Sequence, residues 1–422
     1  MKNKSLATLS PLCLALFAGS AWADLEPFSF GASEQIQHQS NLGHTESRQI
    51  ADWTSTTQLS GAINEPVGRD KLVITGDVDF DRYKHSHTLD STGYNAAAEF
   101  DWSTVGDLSG ALGADSHRHQ SFYGESSEFT IVGASTDTTI VKNLRNDNHV
   151  FARATLGGQS RWTIFGGTDA NKRNYSNDIF RVSDEHQWSA DLGTRYSTSP
   201  DLSFGVTGNY VRGEYPDGTI AHPDGTSTQG RSNFNSKVIS ATTQWQVGGN
   251  TRMDASLGYT SYYSDAFGGT RHFMNGSLNW VWKPPSHLTF TLSLKRSADA
   301  DSLYGAGSGA VVSSGNVNGT AINNDAHLDT TYAVTAKTSL EMSADYIDRK
   351  YLPQQTLVGE ASGSTRTSRV FLTAHFLPTR TTDLSCGAGR ETSHVSGSLA
   401  IKGLAASYND NYVQCTASIH FD

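Results

Sequence analysis

Apolar and polar side chains alternate along most of this chain. Leu72, Ile74, Val78 and Phe80 interleave with Val73, Thr75, Asp77 and Asp79. Likewise His272, Met274, Leu278, Trp280 and Trp282 interleave with Asn275, Ser277 and Asn279. A period of two builds a sheet with one apolar and one polar face and excludes long amphipathic helices. About eighteen such stretches are expected, near 28–39, 53–63, 71–83, 90–102, 108–120, 146–157, 160–171, 185–197 and 202–214 in the first half. The second half adds 235–247, 252–264, 271–282, 287–298, 327–337, 339–350, 367–377, 382–394 and 409–421. Each is long enough for a tilted strand to cross a bilayer.

The connections alternate between short and long. Gly157-Gly158-Gln159, Ser199-Pro200-Asp201, Gly248-Gly249-Asn250, Lys283-Pro284-Pro285-Ser286 and Pro378-Thr379-Arg380 are turn sequences. Polar links near 121–145, 215–234, 299–326 and 395–408 separate them. A soluble sandwich shares the alternation, but the short/long rhythm points to an all-β, antiparallel, up-and-down transmembrane β-barrel. Its short turns belong in the periplasm and its long loops outside the cell. The link from Gly305 to Asn324 leaves three readings open: a disordered loop, a constriction folded into the lumen, or a lid.

Lys2 and Lys4, the apolar run Leu6 to Phe17 and Ala21-Trp22-Ala23 read as a cleavable export signal over residues 1–23, with the barrel over 24–422. The formal charge is −10. No basic block or basic helix is present, so a nucleic-acid partner is not expected. The chain ends Phe421-Asp422, one residue past the terminal aromatic that many such barrels carry.

Seven tryptophans, Trp53, Trp102, Trp162, Trp188, Trp245, Trp280 and Trp282, fall in expected strands and suit an aromatic girdle at the lipid headgroups. The same alternation assigns Asp77, Asp79, Asp81, Glu99 and Asp101 to the lumen. It also assigns there Arg153, Arg161, Arg195, Arg252, Lys295, Lys337, Arg349 and Arg369, interleaved with Asp191, Asp254, Asp329, Glu341 and Asp345. An acidic patch and a more basic wall facing each other would favour polar or charged solutes. Alternatively, these groups pair across neighbouring strands and plug the barrel. Phe151, Phe165, Phe371 and Tyr412 are candidate stacking faces for sugar rings or simple lumen filler.

Nothing in the sequence points to an enzyme. GxSxG, P-loop and HExxH motifs are absent, and no cofactor is expected. His85-Ser86-His87 and His117-Arg118-His119 are solvated loop histidines in the simpler reading and a shared metal site in the bolder one. Beyond the leader only Cys386 and Cys415 remain. A final hairpin centred between residues 400 and 401 would set them directly opposite, within disulfide reach, and the periplasm permits oxidation; one disulfide pinning the register and two free buried thiols are the two readings.

Three segments carry a resemblance: Phe28 to Leu42, ending Gln39-Ser40-Asn41-Leu42; Leu384-Ser385-Cys386-Gly387 with Arg390-Glu391-Thr392; and Tyr408-Asn409-Asp410-Asn411-Tyr412-Val413-Gln414-Cys415. In these the chain resembles the exosortase-associated exopolysaccharide-biosynthesis outer-membrane proteins of Gram-negative bacteria. That resemblance implies a barrel in the outer-membrane lipid, a role in polysaccharide export, and periplasmic export components and a secreted polymer as partners. The readings kept beside it are a diffusion porin for small sugars or organic acids and a plugged barrel that docks an export complex.

Overall fold

The computed structural model describes residues 28–421 apart from 45, 47–48, 121–130, 133–138, 141, 159, 223–226, 266–268, 305–315, 355–360 and 398–406. The expected leader lies outside the described residues. Eighteen strands form one sheet: β1 (Phe28–Gln39), β2 (Asp52–Val67), β3 (Asp70–Tyr83), β4 (Ser91–Ser103), β5 (Leu108–Gln120), β6 (Leu144–Leu156), β7 (Trp162–Tyr175), β8 (Glu185–Ser199) and β9 (Leu202–Tyr215). They continue as β10 (Ser232–Val247), β11 (Thr251–Ser264), β12 (Gly269–Trp282), β13 (Leu288–Tyr304), β14 (Asn316–Ala333), β15 (Thr338–Gln354), β16 (Ala361–Phe376), β17 (Thr382–Gly397) and β18 (Tyr408–Phe421).

Each strand pairs antiparallel with its sequence neighbours, and β1 also pairs with β18, so the sheet closes on itself. Closure leaves no edge, as a sheet surrounded by lipid requires. The expected all-β, up-and-down barrel of eighteen strands is the observed fold. Short turns lie at one end, where Gly68, Gly157, Gly248 and Gly249 take φ of 69°, 85°, 58° and 73°, a region that side chains with a Cβ disfavour.

Large apolar side chains point outward. Phe30, Leu59, Leu192, Ile239, Leu257 and Leu372 are all exposed. By register all seven girdle tryptophans share that face; Trp245 opposes Met253, for example, which in turn opposes Trp280. The small apolar clusters sit at the extracellular rim instead. Leu42, Tyr83 and Leu89 pack with Ile50, and Tyr215, Phe234 and Tyr262 pack with Val211 and Phe273.

Three expectations need correction. The link expected over 299–326 is largely strand: β13 runs to Tyr304 and β14 starts at Asn316, with Tyr304 opposite Asn316. Residues 316–324 therefore extend the wall and are neither constriction nor lid; residues 305–315 lie outside the described set. Backbone pairing continues past the bilayer because ladder hydrogen bonds do not depend on lipid. Arg161 precedes β7 and lies in a periplasmic turn. Lys337 also leaves the wall: β14 stops at Ala333, the N–H groups of Val334 and Thr335 both donate to the Thr338 carbonyl, and Lys337 Nζ reaches the Pro378 carbonyl at 3.0 Å.

Candidate functional site: the lumen

Inside the barrel, successive inward positions of β3 carry Asp77, Asp79 and Asp81, opposite Ser60, Gln58 and Thr56 of β2. Glu99 and Asp101 follow on the inward face of β4, opposite Val73 and Lys71. The five carboxylates thus descend from the extracellular end at Asp81 to the periplasmic end at Asp101. Asp81 accepts the hydroxyls of Thr56 at 2.7 Å and Ser91 at 3.0 Å. Asp79 lies flat over Gly93, where a Cβ would stand 2.4 Å from its Oδ2. Among the described residues none of the five forms an ion pair.

The basic residues behave differently. Arg369 on β16 pairs with Glu391 on β17 at 2.6 Å, and Glu391, only 4% exposed, also accepts the Tyr408 hydroxyl. Arg252 on β11 pairs with Asp254 at 2.8 Å. Arg153 on β6 stands over the Phe151 ring at 4.7 Å, 3.7 Å from Asp169. Arg195 on β8 donates to Gln244 at 2.9 Å. Lys295 on β13 and Arg349 on β15 also take lumenal register positions, opposite Asp325 and Asn323 of β14. In an eighteen-strand ring, Arg252 and Lys295 lie on the far side from β3 and β4, whereas Arg153 and Arg195 lie nearer. The two sequence readings therefore divide by sign: most basic groups are matched by a neighbour, whereas in the acidic ladder only Asp101 faces a cation across the strand pair, Lys71. The lumen nonetheless retains space, since the Arg153 and Arg252 side chains are each 61% exposed.

Alternation alone did not reveal two bridged histidines. His149 lies between Asp115 at 2.8 Å and Asp169 at 3.2 Å. His327 lies between Asp345 and Asp329 at 2.5 Å each. Each bridge joins three residues of the inward face, so correct strand register was the missing information. The HxH pairs do not converge: His85 meets Asp52 at 3.1 Å, His87 approaches Asp90 at 3.9 Å, and His117 meets Asp115 at 2.8 Å. Phe151, Phe165 and Phe371 lie over glycines of the neighbouring strand. A Cβ at Gly113, Gly193 or Gly387 would stand 2.5, 2.5 or 2.7 Å from those rings. Phe371 also stacks on Tyr412 at 5.2 Å.

Toward the periplasmic end, Arg153, Phe165, Asp191, Arg195, Gln244 and Asp254 line a recess of about 660 Å³. On the last hairpin Cys386 and Cys415 oppose each other, with Cα atoms 4.1 Å apart and their sulfurs bonded.

No family model matches the chain, and no curated protein matches its sequence. Its fold does match solved structures. The outer membrane protein OpdK of Pseudomonas aeruginosa aligns with 94% of this chain and 100% of its own, at 11% identity and a TM-score of 0.50. OccK2 (OpdF) of the same organism aligns over 93% and 97%, at 11% identity and a TM-score of 0.51. Closed eighteen-strand architecture, an apolar outer face and a polar lumen define an outer-membrane β-barrel of Gram-negative type.

Proposed function

We propose that this barrel is a diffusion pore for small polar solutes and that it prefers cations to anions. The observation that carries the proposal is the carboxylate ladder Asp81–Asp79–Asp77–Glu99–Asp101, which runs the height of the lumen with a single facing cation, Lys71 opposite Asp101. Rings or rows of carboxylates favour cations through a low-dielectric wall. With no energy source in the chain, flux follows the gradient. Reversal potentials across a planar bilayer under a salt gradient test this: cation preference is the expected sign, and anion preference overturns it.

A saccharide is the neutral solute this lumen suits best. Beside the Phe165 ring, Arg195, Gln244 and Asp191 supply donors and acceptors for hydroxyls within the recess. This supports the second reading, passage of an exopolysaccharide with periplasmic export components. Its test is polymer on the surface and in the medium of a deletion strain with a complemented control. Loss or periplasmic stranding of polymer is the result that reading expects; unchanged polymer discards it and leaves the general pore.

A further inference from the structure

Cations on the outward face gather at one end of the barrel. On the described strands the outward positions at the periplasmic edge carry no lysine or arginine; β5 to β10 present Leu108, Leu156, Trp162, Tyr196, Leu202 and Trp245 there. At the extracellular edge of the same strands stand Arg118, Lys172, Arg212 and Lys237. Lys172, Arg212 and Lys237 each lie about twelve residues above the centre of their periplasmic turn, and Arg118 about as far, which is about 30 Å for a tilted strand. The apolar band of such a barrel is about 25 Å tall. The four cations therefore form a level row where the acyl chains of the outer leaflet end.

The row is charged and unpaired. Lys172, Arg212 and Lys237 are exposed, and among the described residues none of the four cations forms an ion pair or a side-chain hydrogen bond. Glu214, the one carboxylate among the described outward residues of β5–β10, already accepts from Arg231 at 2.7 Å and lies 3.5 Å from His186. Amides stand beside the cations: Arg118 opposes Asn146, Lys172 opposes Asn148, and Arg212 opposes Asn235. An amide both donates to and accepts from a sugar hydroxyl. Trp188 and Tyr210, with ring centroids 6.2 Å apart, sit in the same row. Elsewhere on the ring most outward cations are engaged. Arg82 donates to the Asp81 carbonyl at 2.8 Å, Arg296 to Asn324 at 2.7 Å, and Arg366 pairs with Asp348 at 3.1 Å. Lys350 and Arg390 stand singly, on β15 and β17.

We propose that the extracellular edge of β5–β10 binds the phosphorylated sugar headgroup of an outer-leaflet glycolipid, lipopolysaccharide. Its phosphates lie among Arg118, Lys172, Arg212 and Lys237, its hydroxyls meet the asparagine amides, and its acyl chains run down the apolar wall below. Guanidinium and ammonium groups both bind phosphate, the former in bidentate fashion. Free phosphate would use the cations and leave the wall beneath them idle, and a phosphoglyceride offers a single phosphate to four cations. The site needs only the membrane placement of the barrel and is independent of what the lumen conducts.

Native mass spectrometry of the full-length protein, exchanged in mild detergent against defined lipids, tests it. The wild type should retain lipopolysaccharide, and should retain its phosphatase-treated form or phosphatidylglycerol at least tenfold less. Neutralising the row with Arg118→Gln, Lys172→Gln, Arg212→Gln and Lys237→Gln together should cut lipopolysaccharide retention at least tenfold. The same change at Arg82, Arg296, Lys350 and Arg390 should leave most of it. Equal retention of intact and dephosphorylated lipid by the wild type overturns the proposal, whether or not the fourfold variants fold. So does retention of phosphatidylglycerol as strong as that of lipopolysaccharide, or an equal loss in the two variants.

Discussion

Asp77, Asp79 and Asp81 stand two residues apart on one strand, and their value to the pore lies in forming no ion pair among the described residues. Changing all three to Asn keeps the shape and the ladder, so folding should survive while cation preference falls several-fold in reversal-potential measurements. Arg369 is the opposite case. Arg369→Ala leaves the buried Glu391 without its charged donor at 2.6 Å and should cost about 2 kcal/mol in denaturant unfolding. Outside the wall, burial holds the Asp184 carboxyl above the usual carboxylate range although it accepts the Tyr175 N–H at 2.8 Å. A pKa raised by folding means that the folded state prefers the protonated acid. Its contribution is complete below the unfolded value and is lost as pH rises through the folded one. Protection of the Tyr175 amide should therefore fall between acid and neutral pH, and Asp184→Asn should flatten that dependence.

At the scale of elements, the glycines facing lumenal rings and the last hairpin are the places to probe. A Cβ at Gly389 would stand 2.4 Å from the Phe371 ring and 2.7 Å from the Val370 carbonyl. Gly389→Ala should thus destabilise the barrel by about 1–3 kcal/mol, the usual range for overpacking. The Cys386–Cys415 bond spans 29 residues; replacing both by Ser should cost about 3.6 kcal/mol by loop entropy, read as a lower unfolding midpoint in lipid vesicles. The strands themselves were legible because period-two patterning survives in each of them, and the hairpin centre between 400 and 401 put the two cysteines opposite each other from spacing alone. The β13–β14 extension was not legible. Its Gly-, Ser- and Asn-rich sequence has low strand propensity, and backbone pairing overrode it. Arg161 and Lys337 were misplaced for a related reason: turn residues at strand ends keep the parity of the wall without belonging to it.

The whole molecule adds what no single strand carries. Parity assigned a side chain to the lumen or to lipid, but pairing among lumenal charges depends on the register of neighbouring strands. That is why the bridged His149 and His327 and the solitary ladder on β3 and β4 became visible only in the closed sheet. An accessible lumen whose field is dominated by carboxylates has a direct electrical signature. Purified protein in a planar bilayer, under a tenfold potassium chloride gradient, measures both parts at once. Stable conductance steps with a reversal potential of cation-selective sign are the predicted result. A barrel that inserts without steps, or one that passes chloride in preference to potassium, would contradict it.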